Sequence, residues 1–240
     1  MTTPPTTSSE RPIALITGGT RGIGLAIAHD LATTHTVYIG GTSKESVKKA
    51  QETVPDARPF VADLTDPSSV GKALKAFPEP ALDVLVLSAG ISVGGAIADV
   101  SREDWVRVLD LNVVAQVDLI RQLLPKLRAT HGDIVAINSG SGHRSRPGSA
   151  PYCASKFALR AITDALREEE RGVVRVTSVH PGRVDTDMQR EIQAENGMAP
   201  EDYDGAIYVQ PESIAAAVRT AIDAKPECTV EEIRVRPVIA

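Results

Sequence analysis

The chain has few of the residues that build disulfide-linked or metal-centred folds. Its 240 residues include two cysteines, Cys153 and Cys228, which lie far apart and outside any C-x-x-C pattern. This usage is typical of the reducing cytoplasm, so we expect a cytoplasmic protein without a disulfide framework. The five histidines are scattered and form no H-E-x-x-H motif. No metal site is therefore expected.

The chain also lacks an excess of positive charge and any long hydrophobic run. Its net charge is −5 at pH 7 and it has no basic stripe, which argues against a nucleic-acid partner. The longest apolar runs, such as VLVL at 84–87, are too short to span a bilayer, so no membrane partner is expected. Residues 1–11 are rich in Thr, Ser and Pro and lack the apolar core of a secretory signal. We interpret them as a flexible N-terminal tail and residues 12–240 as a single domain.

Aromatic residues make up only 3% of the chain, whereas Val, Ile, Leu and Ala dominate, which favours buried parallel strands. Short apolar runs alternate with helical patterns, beginning with PIALIT and IGLAIAHDLAT and ending with EEIRVRP. One helical stretch is long, from Ser101 to about Leu127. The alternation predicts an α/β fold with a doubly wound parallel sheet, Rossmann-like, whose ligands bind outside the carboxyl ends of the strands.

A glycine-rich turn, TGGTRGIG, follows the first predicted strand at Thr17 to Gly24. Its glycines follow a T-G-x-x-x-G-x-G spacing, and positions without side chains let the backbone and the next helix N-terminus approach a pyrophosphate. A plain strand-to-helix turn is the alternative. The position of the turn before an apolar-periodic helix favours nucleotide binding.

Small or polar residues also end three later strands. The fourth strand ends in LSAG at 87–90, the fifth in AINSGSG with Ser139 just past the apolar run, and the sixth in HPGRVDT. Because parallel strands end at the same edge of a sheet, these residues are expected to lie together.

Tyr152 lies four residues before Lys156 in a predicted helix, so the two side chains share a face. A cation near a phenol favours the phenolate and lowers the tyrosine pKa, which would make Tyr152 a proton donor near neutral pH. The alternative is an amphipathic helix that happens to carry both residues.

Asn112 falls on the apolar face of the long helix. A buried amide needs hydrogen-bond partners. Either neighbouring backbone satisfies it, or it holds water or backbone near Lys156, and the helix alone does not distinguish the two.

Taken in order, TGGTRGIG, LSAG, Asn112, Ser139, YCASK and PGRVDT resemble the short-chain dehydrogenase/reductase family from about Pro12 to Pro237. One departure is Ser88, where the family usually has asparagine. The resemblance implies a nicotinamide cofactor and hydride transfer between it and a carbonyl or secondary alcohol. It also implies pairing of helices into a homodimer or homotetramer.

The same resemblance assigns roles to the catalytic set. Tyr152 would donate the proton, Ser139 would hydrogen-bond the substrate oxygen, Lys156 would bind the nicotinamide ribose, and Asn112 would support a water-linked proton path. The expected cofactor contacts are Gly18, Thr20, Arg21, Gly22, Ile23, Gly24, Thr42, Ser43, Asp63, Leu64, Ser88, Ala89, Gly90, Tyr152, Lys156, Pro181, Gly182, Val184 and Thr186.

The end of the second strand predicts NADP rather than NAD. An enzyme that selects NAD usually has an acid there, but residues 40–44 contain none. Thr42 and Ser43 can donate hydrogen bonds, Lys44 adds positive charge, and Arg21 could reach a 2′-phosphate. The alternative is that Arg21 is a solvated turn residue.

A non-catalytic sensor of dinucleotide redox state is the rival function. Such a sensor would tolerate loss of Ser139, Tyr152 and Lys156, yet all three are present. The substrate is expected under residues 187–210. HRSR at 143–146 would line its entrance, unless these charges are simply solvated.

Overall fold

The computed structural model describes residues 11–238 as one α/β domain, so the predicted tail lies outside the described residues except for Arg11. Seven parallel strands form one sheet in the order β3-β2-β1-β4-β5-β6-β7. The strands are β1 (Ile13–Thr17), β2 (Thr36–Gly41), β3 (Arg58–Val61), β4 (Val84–Leu87), β5 (Asp133–Ile137), β6 (Arg175–Pro181) and β7 (Glu232–Val235).

Helices cover both faces of this sheet. They are α1 (Gly22–Leu31), α2 (Lys44–Gln51), α3 (Pro67–Ala76), α4 (Arg102–Leu109), α5 (Ala115–Arg128), α6 (Ala150–Glu169), α7 (Asp187–Glu195) and α8 (Pro211–Ile222). One apolar cluster joins the sheet to α1, α2 and α8, and a second joins it to α3, α5 and α6. Every residue of β4 and β5 is buried, as expected for strands covered on both sides. The doubly wound prediction is confirmed.

The prediction of one long helix from Ser101 to about Leu127 is wrong in one respect, because the helix is interrupted. A π-helical segment, Asp110–Val114, separates α4 from α5, and Asn112 lies at its centre. A π segment places an extra residue in a turn and so changes which side chains face inward. The amphipathic pattern continues on both sides of the segment, so periodicity alone did not reveal the break.

The strand order reverses beside β1, which pairs with β2 on one side and β4 on the other. A crevice at this reversal is the usual ligand position in open parallel sheets. Within residues 11–238, no helix has the length and apolar character needed to cross a membrane.

Candidate active site

The glycine-rich turn after β1 leaves no space for a side chain at Gly18 or Gly24. Gly18 has φ +61°, and a Cβ there would lie 2.8 Å from Ala89 Cα. A Cβ on Gly24 would lie 2.2 Å from the Gly18 carbonyl oxygen. Close packing therefore leaves backbone and the start of α1 facing the crevice, where N–H groups can meet a phosphate. Thr20 and Ile23 belong to the same turn and the first turn of α1.

The turn after β4 is held by residues that the sequence analysis missed. Thr17 Oγ1 accepts hydrogen bonds from the N–H groups of Ser88 (3.0 Å) and Ala89 (3.1 Å). Gln116 Nε2 donates to the Ala89 carbonyl oxygen at 3.1 Å. Hydrogen bonds from the Thr17 and Gln116 side chains to the backbone thus fix this turn, although Ser88 stands where asparagine is usual. The available signal was the polar Gln116 on an apolar helix face.

Asn112 is satisfied by its neighbours. Its Oδ1 accepts from the Ile91 N–H at 2.9 Å, and its Nδ2 donates to the Ile91 carbonyl oxygen (2.9 Å) and to Ser155 Oγ (3.0 Å). A Cβ on Gly90 would lie 3.1 Å from Asn112 Oδ1 and 3.9 Å from Lys156 Nζ. The Ile91 backbone therefore satisfies the Asn112 amide, and the amide holds this backbone close to Lys156.

Tyr152, Lys156 and Ser139 come together at the carboxyl edge of β5. The half-buried Tyr152 and buried Lys156 lie on α6, with Lys156 Nζ 5.7 Å from the centre of the phenol ring. Lys156 Nζ donates to the Ile137 carbonyl oxygen at 2.9 Å. Ser139 Oγ accepts from the Ser141 N–H at 3.0 Å, which leaves its own proton available to another acceptor.

Burial shapes the protonation of this cluster. It raises the pKa of Tyr152, and hydrogen bonding from Ser139 only partly opposes the rise. Burial also lowers the pKa of Lys156 to about 8. The expectation that Lys156 lowers the tyrosine pKa is therefore wrong for this structure, because desolvation dominates and the ammonium is directed at the Ile137 carbonyl.

The segment after β6 closes the site from the other side. The Gly182 N–H donates to the Val235 carbonyl oxygen at 2.7 Å, directly after Pro181 ends the strand. Val184 is buried, and Thr186 caps α7 by accepting from the Gln189 N–H. A Cβ on Gly22 would lie 3.3 Å from Thr186 Cγ2, so the glycine-rich turn and the start of α7 are adjacent.

Arg21 is directed at α7. Its Nη1 lies 3.7 Å from Asp187 Oδ2 and 3.8 Å from Glu191 Oε1, with all three side chains mostly exposed. At the end of β2, Ser43 caps α2 by accepting from the Ser46 N–H at 3.1 Å. The structure thus shows Arg21 in an ion pair that the sequence analysis did not foresee.

A cleft of about 580 Å³ continues from this edge of the sheet between β3 and α4. Thr42, Asp63 and Ile91 line it on the sheet side. Leu64 follows Asp63 and is half-buried. Of the predicted cofactor residues at the ends of β2 and β3, Thr42 and Asp63 therefore border the same cleft.

The residues of the HRSR stretch lie in two different surroundings. Arg146 lines a separate cleft with Trp105 and Phe157, on the outer side of α6. His143 instead stacks near His180, with ring centroids 4.4 Å apart. Arg144 and Arg146 are both exposed.

A glycine-rich turn beside a tyrosine, lysine and serine, at the carboxyl edge of a doubly wound sheet, defines a dinucleotide-dependent oxidoreductase. The chain belongs to the short-chain dehydrogenase family, whose model matches residues 12–197. Members of this family bind a nicotinamide dinucleotide, so this chain is an oxidoreductase with a small-molecule substrate.

Known proteins resemble the chain over almost its whole length. An uncharacterized oxidoreductase of Staphylococcus epidermidis is 32% identical over 94% of this chain and 97% of its own. An alcohol dehydrogenase from Thermococcus sibiricus, complexed with 5-hydroxy-NADP, has a TM-score of 0.85 at 26% identity, covering 96% of this chain and 98% of its own. The closed form of a serine dehydrogenase complexed with NADP+ has a TM-score of 0.87 at 26% identity, covering 94% and 95%.

Proposed function

We propose that the protein is an NADP(H)-dependent oxidoreductase that transfers hydride between the nicotinamide and a carbonyl or secondary alcohol. The observation that carries the proposal is the meeting of Tyr152, Ser139 and Lys156 at the same edge of the sheet as a turn with no room for a side chain at Gly18 or Gly24. That turn fits a dinucleotide, because a backbone cradle and a helix start suit a pyrophosphate. When bound, the cofactor supplies or accepts the hydride.

In the reduction direction, Tyr152 donates a proton to the substrate oxygen. The Ser139 hydroxyl donates a hydrogen bond to the same oxygen as negative charge develops. This fits the contacts of Ser139 Oγ, whose lone pair already accepts from the Ser141 N–H. Lys156 supplies a buried cation beside the phenol and binds the ribose, while Asn112 fixes the backbone next to it.

The preference for NADP rests on the end of β2 and on Arg21. Residues 40–44 offer no acid to a ribose hydroxyl, and Thr42 is exposed beside the cleft. Arg21 is mostly exposed, so its ion pairs with α7 are weak enough to exchange for a phosphate. The two structural neighbours named above were solved with NADP+ or an NADP derivative, which supports the same choice.

We also propose that residues 187–210 cover the substrate and that the protein is cytoplasmic.

The molecule is further proposed to be a homodimer or homotetramer. Exposed apolar side chains lie on the outer surface of α4, the π segment, α5 and α6. They are Val106, Val114, Val117 and Phe157. Apolar surface of this kind marks an interface between protein chains.

A panel of ketones, aldehydes and alcohols, followed by the absorbance of the reduced nicotinamide, tests the function. Turnover of any member with NADPH or NADP+ supports the enzyme. Tight dinucleotide binding without turnover across the panel supports the redox sensor instead.

A further inference from the structure

A buried histidine lies directly behind Ser139. His180, the second-last residue of β6, is 1% exposed. Its Nδ1 is 3.1 Å from the Ser139 carbonyl oxygen and 3.2 Å from His143 Nε2. Its Nε2 has no hydrogen-bond partner among the described residues, and Glu232 Oε1 on β7 lies 3.6 Å away.

Two arginines form ion pairs with the carboxylate of Glu232. Arg160 Nε lies 3.3 Å from Glu232 Oε1, and Arg234 Nη2 lies 3.4 Å from Oε2. Although His143, His180 and Glu232 are close enough to hold a metal ion, a divalent cation would have to displace both guanidinium groups. The cluster is therefore better explained by hydrogen bonding than by metal binding.

The contacts favour one tautomer of His180. Burial lowers the pKa of His180 and of His143, so both rings are neutral near pH 7, and a neutral imidazole carries one N–H. A carbonyl oxygen can only accept, and Ser139 offers one at 3.1 Å from Nδ1. The acceptor nearest to Nε2 is farther away, at 3.6 Å. A proton on Nδ1 therefore donates to the backbone of Ser139.

One contact favours the opposite tautomer. Arg234 Nη2 lies 3.1 Å from His143 Nδ1, and a guanidinium can only donate. This would put the His143 proton on Nε2 and leave His180 Nδ1 with a lone pair facing the Ser139 carbonyl. The side chain of Arg234 is half exposed and can turn away from His143 while it keeps its ion pair with Glu232, whereas the Ser139 carbonyl is fixed by the backbone hydrogen bond from Gly142.

The Ser139 loop is thus held from two directions. The Gly142 N–H donates to the Ser139 carbonyl oxygen at 2.9 Å, and His180 supplies a second donor to the same atom. We propose that His180 is a positioning residue, which acts through Ser139 to aim the serine hydroxyl at the substrate oxygen. This inference rests on the function proposed above.

The test uses two variants that distinguish the role of His180 Nδ1 from that of Nε2. In His180→Asn the amide nitrogen can take the place of Nδ1, whereas in His180→Gln it reaches toward Nε2. With a substrate from the panel, His180→Gln should lower kcat about tenfold with the KM for cofactor unchanged, and His180→Asn should restore most of the loss. Glu232→Gln alters the group nearest to Nε2 and the ion pairs with Arg160 and Arg234 but leaves the contact between Nδ1 and Ser139, so it should change kcat less than about twofold. Equal kcat losses in the Asn and Gln variants would overturn the proposal.

A double variant distinguishes positioning from a general structural role. Adding His180→Gln to Ser139→Ala should lower kcat no further if His180 acts through the serine hydroxyl. Multiplying losses would overturn the proposal. Cofactor titration of each variant verifies that the fold is retained.

A measurement independent of turnover keeps this inference separate from the proposed function. In the wild-type protein, ¹⁵N chemical shifts of the histidine rings should show the proton of His180 on Nδ1 near pH 7. A proton on Nε2 would overturn the hydrogen bond to Ser139, whether or not the protein turns over any substrate. Failure of the panel with Nδ1 protonated would count against the proposed enzyme instead.

Discussion

Tyr152 and Lys156 share one side of α6, and burial disfavours the charged form of both residues. The tyrosine is therefore a neutral phenol, ready to donate, whereas the lysine approaches neutrality within the working range of pH. Proton transfer and cofactor binding by these two residues should consequently respond differently to substitution and to pH.

Replacing Tyr152 by phenylalanine keeps the ring and removes the proton. We expect turnover to fall by about two to four orders of magnitude, the range for loss of general acid–base catalysis. Cofactor affinity should be retained, because the buried cation of Lys156 is unchanged. Steady-state rates and a cofactor titration check both statements, and near-normal turnover would exclude Tyr152 as the acid.

The lowered pKa of Lys156 predicts a loss of activity in alkaline solution. Its pKa is lowered from 10.5 to about 8, so the side chain is charged below about pH 8 and neutral above it. We expect kcat/KM to fall as the pH rises through this value. In Lys156→Arg the charge persists, so the fall should move to higher pH even if the rate is lower. Identical pH profiles for the two proteins would contradict the assignment.

At the scale of elements, Arg21 connects the glycine-rich turn to α7. If it exchanges Asp187 and Glu191 for a 2′-phosphate, Arg21→Ala should weaken NADP binding about tenfold to a hundredfold and barely affect NAD. Titration of both cofactors against wild type and variant measures this. Asp187→Asn is the matched control and should not weaken NADP binding. Equal losses for the two cofactors would mean that Arg21 serves only to hold α7.

The sequence predicts elements better than it predicts their irregularities. Motif residues such as Gly18 and Tyr152 follow strands or begin helices, so chain order alone places them at one edge of the sheet. The π segment was missed because α4 and α5 continue the same apolar spacing on either side of Asn112. The His180 contact was missed because its partners come from elements distant in sequence, which periodicity does not relate.

For the whole molecule, Asp133 and Arg175 link β5 and β6 at the edge opposite the active site, 2.7 Å apart. Burial outweighs the arginine and raises the pKa of Asp133 from 3.8 to about 6. The pKa of Asp133 is higher in the folded state than in the unfolded state. The protonated carboxyl therefore contributes to the free energy of unfolding fully below about pH 4, and this contribution is lost as the pH rises through 6.

Asp133→Asn should remove this dependence. We expect the change in free energy of unfolding between pH 4 and pH 7 to differ from wild type by on the order of 2–3 kcal/mol. Urea unfolding at the two pH values measures the difference. Asp56→Asn, at an exposed turn, is the control, and an equal change in both variants would refute the role of Asp133.

The exposed apolar surface predicts self-association. Light scattering at micromolar concentration should show a dimer or tetramer, and Val114→Glu with Phe157→Glu should shift it to monomer. Val173→Glu alters an exposed apolar residue outside this surface and should leave the assembly intact. A monomeric wild-type protein would remove the prediction.

Strands β5 and β6 connect the active-site edge of the sheet to the opposite edge, and the two edges have different roles. Ser139 follows β5 and Pro181 ends β6, while Asp133 and Arg175 begin the same strands, about 20 Å away at the rise of a strand. The rigid span between them lets loops at one end be exchanged while the other end continues to support the scaffold. Substrate range can therefore diversify in this architecture without rebuilding the framework that carries it.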